Sequence, residues 1–465
     1  MEKTRVYTAF LGEKKPAGVA GWPNTWFDPQ IARHEWMKKL AAQFGHECEF
    51  TGGDMVPCRG DGTCATGGYV NEVLSSRGSD ALKDMPQSVR EGVGQCDGVL
   101  VVALCIPGCS CECDILSTGK PTVVVNNFFA GDGLFLHCNS FVKRNRLPAV
   151  LVSSSDVNDT GRALHLLTVM RRMRETKILD YMDAVSEWGL RPGEEKTIRE
   201  VFGTQIILKP GHDLVEYCAD VDESEARRQA LRWMQEAEEV VEPTEETMVQ
   251  AARMYLALKH AMKDAGATCV TTDCLNYVYR DKFPGYPCFA FFQLMNDGLM
   301  GVCEADVFSA LTNLLGLYLT GRPGFVSDPV IDTGSNQVIY AHCVCSSRML
   351  AGEPAAPYAV RSHAECGQGA SVQVKARLGL PMTTVKLHPV ERKLALHKGV
   401  LVGNVAADWA CRTKIAVEVP NAKALLSGWN VECNFGWHRV SFYGDLEQDF
   451  RNLASLYALD VIENS

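Results

Sequence analysis

Several things are missing from this chain, and each absence removes a class of function. It has no run of lysine and arginine, and its net charge of −10 argues against nucleic acid as the main partner. Its longest clean apolar stretch, Gly98 to Ile106, is too short to span a bilayer, so no membrane partner is expected. The opening residues, Met1-Glu-Lys-Thr-Arg-Val-Tyr-Thr-Ala-Phe-Leu, have the character of a first strand and not of a signal peptide, which makes a cytoplasmic protein the expectation. Gly60-Asp-Gly and Gly131-Asp-Gly lack the G-x-G-x-x-G or G-K-[ST] continuation that cradles a nucleotide phosphate. No internal repeat or low-complexity tract stands out. What remains is an ordinary globular composition, 46% hydrophobic and 22% charged, in a 465-residue chain long enough for two to four domains.

Cysteine is the one abundant surprise. Nineteen thiols form an odd set that cannot pair completely within one chain, and such heavy usage fits a strongly reducing cell. Most, such as Cys269, Cys288, Cys303 and Cys411, sit in apolar runs where cysteine acts as a small hydrophobe. Cys105-Ile-Pro-Gly-Cys109-Ser-Cys111-Glu-Cys113, with Cys138 nearby, could bind zinc or an iron–sulfur cluster, or could be a turn after a buried strand. In His342-Cys343-Val-Cys345, strand alternation sends His342 and Val344 to one face and the two thiols to the other.

The first third alternates strand-like runs (Val6–Leu11, Gly98–Cys105, Pro121–Asn126, Pro148–Ser153) with helical stretches such as Ile31–Phe44. A long helix is expected from Thr160 to about Trp188. A second α/β unit follows, with a short strand at Ile206–Leu208, helices over Glu223–Ala237 and Pro243–Ala265, and a buried strand Cys269–Thr272 ending at Asp273. From Val338 the runs become short, regularly spaced and β-like: Tyr358–Val360, Ala370–Val374, Thr383–Leu387, Leu401–Asn404, Lys414–Val419 and Val440–Tyr443. The expected fold class is α/β: two α/β sandwich domains with parallel sheets, residues 1–158 and 159–335, then a mainly-β barrel over 336–465.

Two carboxylates and two histidines in the last third have the chemistry of a divalent-cation site. Glu304 opens the apolar helical run Glu304-Ala-Asp-Val-Phe-Ser-Ala-Leu. Asp328 lies in the turn-rich Gly324-Phe-Val-Ser-Asp-Pro, His342 ends the strand-like Gln337-Val-Ile-Tyr-Ala-His, and His438 stands in Asn434-Phe-Gly-Trp-His-Arg. Carboxylates with imidazoles and no thiolate suit Mn²⁺, with Co²⁺ or Mg²⁺ as substitutes, better than structural zinc. Each has a bland alternative: a helix-start carboxylate, an Asp-Pro turn, a satisfied core histidine, a packing residue beside Trp437. Placed at the end of the second α/β domain and at both ends of the β domain, the four would meet in an interdomain cleft, the commonest place for a ligand site.

The series Glu304-Ala-Asp-Val, Ser327-Asp328-Pro, Ala341-His342 and Gly436-Trp437-His438 resembles the L-fucose/L-arabinose isomerase superfamily. So do Arg361-Ser-His-Ala-Glu-Cys-Gly367 and Thr383-Thr-Val-Lys-Leu387. The resemblance follows the domain order along the whole chain, with its strongest motifs between Asp297 and Cys366 and around His438. It implies a Mn²⁺-dependent aldose–ketose isomerase working through an enediol. In that reading Glu304 and Asp328 are ligands that also act as acid and base, His438 is the late histidine ligand, and His342 matches the extra histidine of the arabinose branch. Fucose isomerases place Asn before the late histidine, where this chain has Trp437, so L-fucose itself is put in doubt as substrate. Pentoses, deoxyhexoses and modified hexoses such as sulfonated ones are the candidates. Contacts to sugar hydroxyls or an anion are expected among Asp273, Gln293, Asn296, Asp297, Arg322 and His363, each of which could equally be structural, with Trp437 as an apolar wall in place of a hydroxyl contact. The resemblance also implies a homo-oligomer, trimer or hexamer, whose pocket is completed near a subunit boundary by a loop such as Gly21-Trp22-Pro-Asn-Thr-Trp26. Another metal-assisted enediolate reaction on a sugar (epimerase, dehydratase or lyase) and a non-catalytic sugar-binding protein remain the alternatives.

Overall fold

The computed structural model describes residues 2–12, 23–56, 81–83, 85–105, 111–183, 189–280, 283–429 and 435–463, with backbone only for 111–113 and 279. It comprises two compact units, Met1–Arg171 with Gln448–Asp460, and Arg172–Glu447 with Val461–Ser465. Trp22, Cys109 and the side chains of Cys111 and Cys113 lie outside the described residues.

The first unit is built on a five-stranded parallel sheet. Its strands are β1 (Thr4–Leu11), β2 (Cys48–Val56), β3 (Gly98–Ala103), β4 (Thr122–Asn126) and β5 (Ala149–Val152), in the order β2-β1-β3-β4-β5. Gly98-Val-Leu-Val-Val-Ala and Thr122-Val-Val-Val-Asn are buried at every position, as strands covered by helices on both faces must be. The helix Pro29–Phe44 starts as its sequence dictates, with Asp28 capping Gln30 N–H and proline at the first helical position.

In the second unit the strands are β6 (Lys177–Tyr181), β7 (Gln205–Lys209), β8 (Glu239–Val240), β9 (Cys269–Thr272) and β10 (Met300–Val302). Four of them form a parallel sheet in the order β10-β9-β6-β7. The helix expected through to Trp188 ends earlier, at Glu175, and β6 follows it. Ile178 to Tyr181 are wholly buried between two neighbouring strands, and that pairing outweighs the helical periodicity of the preceding run.

The β region begins with β11 (Phe325–Asp332) and β12 (Gln337–His342), continues with β13 (Tyr358–Arg361) and β14 (Ser371–Val374), and ends with β15 (Pro381–His388), β16 (Lys393–Asn404), β17 (Thr413–Glu418) and β18 (Arg439–Tyr443). Six of these close an antiparallel barrel, β15-β18-β11-β12-β17-β16, sealed by pairing of β15 with β16. The β13–β14 hairpin stays out of the barrel and pairs with β8 instead. Two parallel sheets and a closed six-stranded barrel are therefore present. Among the described residues no helix is long and apolar enough to cross a membrane.

One buried helix, Val307–Thr320, joins the parallel sheet to the barrel. It can lie against β18 because position 316 is glycine: a Cβ there would stand 2.1 Å from the Phe442 ring. Asn313 bonds both the N–H (2.7 Å) and the carbonyl (3.1 Å) of Gly324, turning the chain into β11, and Thr312 Oγ1 accepts the Leu387 N–H of β15 at 3.0 Å.

Candidate metal centre

Glu304 does not open the helix. It stands in a turn after β10, where Glu304 and Ala305 both adopt left-handed backbone, φ +68° and +52°. Such conformations cost about 1–3 kcal/mol each for residues with a Cβ and persist only where neighbours impose them. The Ala305 N–H is held by the Thr272 carbonyl at 2.8 Å, so the turn hangs from the end of β9. The helix starts at Val307 with Asp306 as its cap: Oδ1 accepts from Ser309 N–H at 2.8 Å, and Oδ2 from Ser309 Oγ at 2.6 Å.

The barrel supplies the rest. Asp328 lies within β11, not in a turn, directly across from Ala341 of β12, and His342 ends β12. His438 immediately precedes β18. These placements gather the four residues. His342 Nε2 is 3.5 Å from Glu304 Oε1, His438 Nε2 is 3.5 Å from Glu304 Oε2, and the same Nε2 is 3.7 Å from Asp328 Oδ1. Glu304, His342 and His438 each offer a ligand atom, all within 4.8 Å of one another. Asp328 is nearly half exposed at the edge of this group.

Two further residues, present in the quoted motifs but assigned no role there, set the electrostatics. Asp306 Oδ2 accepts from His438 Nδ1 at 2.9 Å and from Lys386 Nζ at 2.7 Å; Lys386, on β15, also donates to Ser309 Oγ at 2.5 Å. Burial disfavours the Asp306 charge, but Lys386 and His438 outweigh it and hold the carboxyl far below the usual range. Burial likewise lowers Lys386, and Asp306 opposes that. Glu304 follows the same balance: burial raises it, His438 and His342 win, and it falls to about 2. Burial works against a charged His342, yet its hydrogen bond to Glu304 and the Glu304 charge raise it to about 9. The available signals were an Asp-x-x-Ser helix start at 306–309 and a lysine inside an apolar strand run, a residue almost never buried unless paired.

This donor set suits a hard or borderline dication. Asp306 accepts a hydrogen bond from His438 Nδ1–H, which leaves the Nε2 lone pair facing Glu304. His342 fits on one condition. A neutral ring accepts the Val344 N–H on Nδ1 at 3.2 Å and carries its proton on Nε2, facing Glu304; a cation at Nε2 requires a proton on Nδ1 instead and that hydrogen bond given up, as it already is in the doubly protonated ring. The cleft over the group, about 280 Å³, is lined by Glu304, Asp306, Asp328, Lys386, Trp437 and His438, and also by Arg191 and Glu194.

The remaining expected contacts are placed as follows. Trp437 lines this cleft and is 56% exposed. Asp273 is buried at the end of β9 and accepts from Asn276 Nδ2 at 2.8 Å. Gln293 is buried in the helix Cys288–Asn296. Asn296 accepts from Ser346 Oγ and Ser347 N–H, and Asp297 accepts from Tyr255 OH. Arg322 follows the Gly321 cap of the helix Val307–Thr320. His363 packs on Tyr286, its Nδ1 3.6 Å from Cys366 Sγ. Trp26 belongs to the first unit and is 83% exposed.

Asp306→Asn keeps the cap's shape but leaves Lys386 buried without its counter-ion. It should cost about 3–5 kcal/mol in urea denaturation, and about 10–100-fold in cation affinity by loosening His438. Without a cation, His342 keeps its proton up to about pH 9. Binding of Mn²⁺ at about pH 7 to 8 should then release close to one proton per ion, falling to about half a proton at 9. Apparent affinity should rise about tenfold per pH unit and level off above 9, as followed by competition with a chelating dye.

No family model matches the chain. It is similar to the sulfoquinovose isomerase of Clostridium sp. (strain MSTE9), at 27% identity over 225 residues. That match covers 45% of this chain and 46% of the relative, so the likeness spans less than half the length of either protein.

Proposed function

We propose that this chain is a divalent-cation-dependent aldose–ketose isomerase acting on a sulfonated hexose. The observation that carries the reading is the Glu304–His342–His438 cluster, with Asp328 at its edge, in a cleft. The similarity to a sulfoquinovose isomerase supports the substrate class.

Isomerisation moves a proton between C2 and C1 of the open-chain sugar, and one between the two oxygens, through an enediol. Glu304, His438, His342 and Asp328 would hold Mn²⁺, with Co²⁺ or Mg²⁺ as substitutes. When bound, such an ion polarises O1 and O2 and favours the negative charge that develops there. The chain's own part is proton transfer and orientation. Glu304, engaged by two histidines, is fixed and ionised. Among the described residues Asp328 approaches only His438, at 3.7 Å, and stands half open to the cleft, so one of its oxygens is available to take the proton from C2 and return it at C1. Trp437 offers an apolar wall. Among the described lysines and arginines lining the cleft, Lys386 is committed to Asp306, which leaves Arg191 to meet the sulfonate.

Incubation of the Mn²⁺-loaded protein with sulfoquinovose in D₂O, followed by NMR, should yield the ketose with an intact carbon skeleton and deuterium at C1 or C2. Skeletal fragments or an epimer would point to another enediolate reaction, and no turnover at all would refute the reading. Asp328→Asn should keep Mn²⁺ while losing well over tenfold in kcat, that is more than ~1.4 kcal/mol of barrier, whereas Glu304→Gln should lose both. Arg191→Gln should raise KM for the sulfonated sugar about 10–100-fold, the worth of a charged hydrogen bond. Its effect on an unsulfonated sugar should be small.

A further inference from the structure

Behind the Glu304 turn lies a pair of carboxyl groups that the chemistry above does not use. Asp180 of β6 is 0% exposed, and neither of its carboxyl oxygens has a partner among the described residues. The sheet register pairs Asp180 with Thr271 of β9, so the two side chains share one face, and Asp273 follows two residues on. Asp273 is also buried; Asn276 occupies its Oδ2, and its Oδ1 is unpartnered, as is Thr271 Oγ1.

Among the described residues no counter-charge acts on Asp180, which is affected by burial and by Asp273. On β10, Gly301 faces the helix Cys288–Asn296, since a Cβ there would meet Phe291, so Met300 and Val302 point to the opposite face together with Cys269 and Thr271. That face is covered by the helix Val307–Thr320. The only titratable side chain of that helix is Tyr318, bonded to Thr176 Oγ1 at 2.6 Å. Beside Asp180 on β7 stands Leu208, while Lys209 pairs with Tyr181 and so takes the other face. Among the described residues the ionisable groups acting on or beside the pair are Cys269, a neutral thiol pushed up by its burial, and, on the Asp273 side, Tyr277, a phenol also pushed up by burial.

Two carboxylates cannot both stay ionised in so dry a place without a cation. We propose that Asp180 and Asp273 share a single proton, forming an acid–carboxylate pair that ties β6 to the end of β9 and so positions the turn carrying Glu304. The proton resides on Asp180 and is donated toward Asp273 Oδ1, its free acceptor. Burial first, and then the Asp273 charge, push Asp180 up to about 8, in keeping with this. The link to the metal centre is the Ala305 N–H, which donates to the Thr272 carbonyl one residue before Asp273. Asp180 acts here as a positioning residue, independently of the substrate proposed above.

Infrared difference spectra of the whole protein at about pH 6 should show a protonated-carboxyl band that is missing from Asp180→Asn. In the unfolded chain Asp180 ionises near 4, so the folded protein holds an extra proton from there to about 8. Wild-type stability should therefore fall against Asp180→Asn as pH rises, by up to about tenfold in the folding constant per unit, and run parallel to it above about 8. Asp180→Asn, which can still donate to Asp273, should keep Mn²⁺ affinity. Asp180→Leu should weaken it, a loss the asparagine variant does not share. The proposal fails if the wild type lacks the band, if the stability difference is independent of pH, or if both variants bind Mn²⁺ alike. It also fails if titration with Mg²⁺ reveals a second saturable site lost in Asp180→Asn but kept in Glu304→Gln, because the pair would then hold a cation in place of the proton.

Discussion

Lys386 reaches out of barrel strand β15 to Asp306, the residue that starts the helix between sheet and barrel, and the two meet at 2.7 Å with Lys386 1% exposed. Burying such a pair is costly on its own account, several kcal/mol per ion before attraction is counted. The cost is offset because every remaining site on Asp306 is used: one oxygen caps the helix at Ser309 N–H, the other takes Ser309 Oγ, Lys386 and His438 Nδ1. One carboxylate thereby fixes a barrel strand, a helix start and a histidine ring. Glu304 sits two residues before it, on a turn whose left-handed backbone is pinned from the other side by β9.

Charge at the centre follows from that arrangement. Glu304, Asp306 and Asp328 bring three carboxylates together, and Lys386 balances one of them. The surplus raises His342 against the pull of its burial, so the ring keeps a proton in the absence of anything better. A dication would satisfy the same surplus, and its charge would let both cleft carboxylates stay ionised while the proton leaves. His342 is in this sense a placeholder, positively charged when the group stands alone and neutral when a metal takes over.

The parts legible in the sequence were those decided locally. The uniformly apolar runs at 98–103 and 122–126 became buried parallel strands, Cys269–Thr272 falls where its flanks put it, and the β runs after 380 became barrel strands. Periodicity failed where a distant partner decided. Lys177–Tyr181 continued a helical pattern but is a strand because β7 and β9 flank it, and Tyr358–Arg361 pairs with β8, more than a hundred residues earlier, instead of joining the barrel. At the site, residue type, domain order and the family resemblance together pointed to the carboxylates and histidines. Asp306 and Lys386 stood inside motifs that carried the resemblance but received no role, because their importance lies in each other, on elements eighty residues apart. Glu304 looked like a helix start for want of any local sign that its backbone would turn left-handed.

The separation of the two acids then has a mechanical explanation. Glu304 and Asp328 are 24 positions apart, yet both approach His438 Nε2. Between them the chain runs out along the helix Val307–Thr320, whose fourteen residues span about 21 Å at the helical rise. It returns through Gly321 to Asp328, seven steps that cover roughly 23 Å if extended. Helix out and strand back cancel, so the second carboxylate comes home to the level of the first. Gly316 and Gly324 let that hairpin lie flat on Phe442, and Asn313 locks its bend. A residue inserted into the helix would rotate its buried face by about 100° and carry Asp328 away from the histidines. The spacing between the two acids is therefore set by barrel packing as much as by the chemistry at its ends.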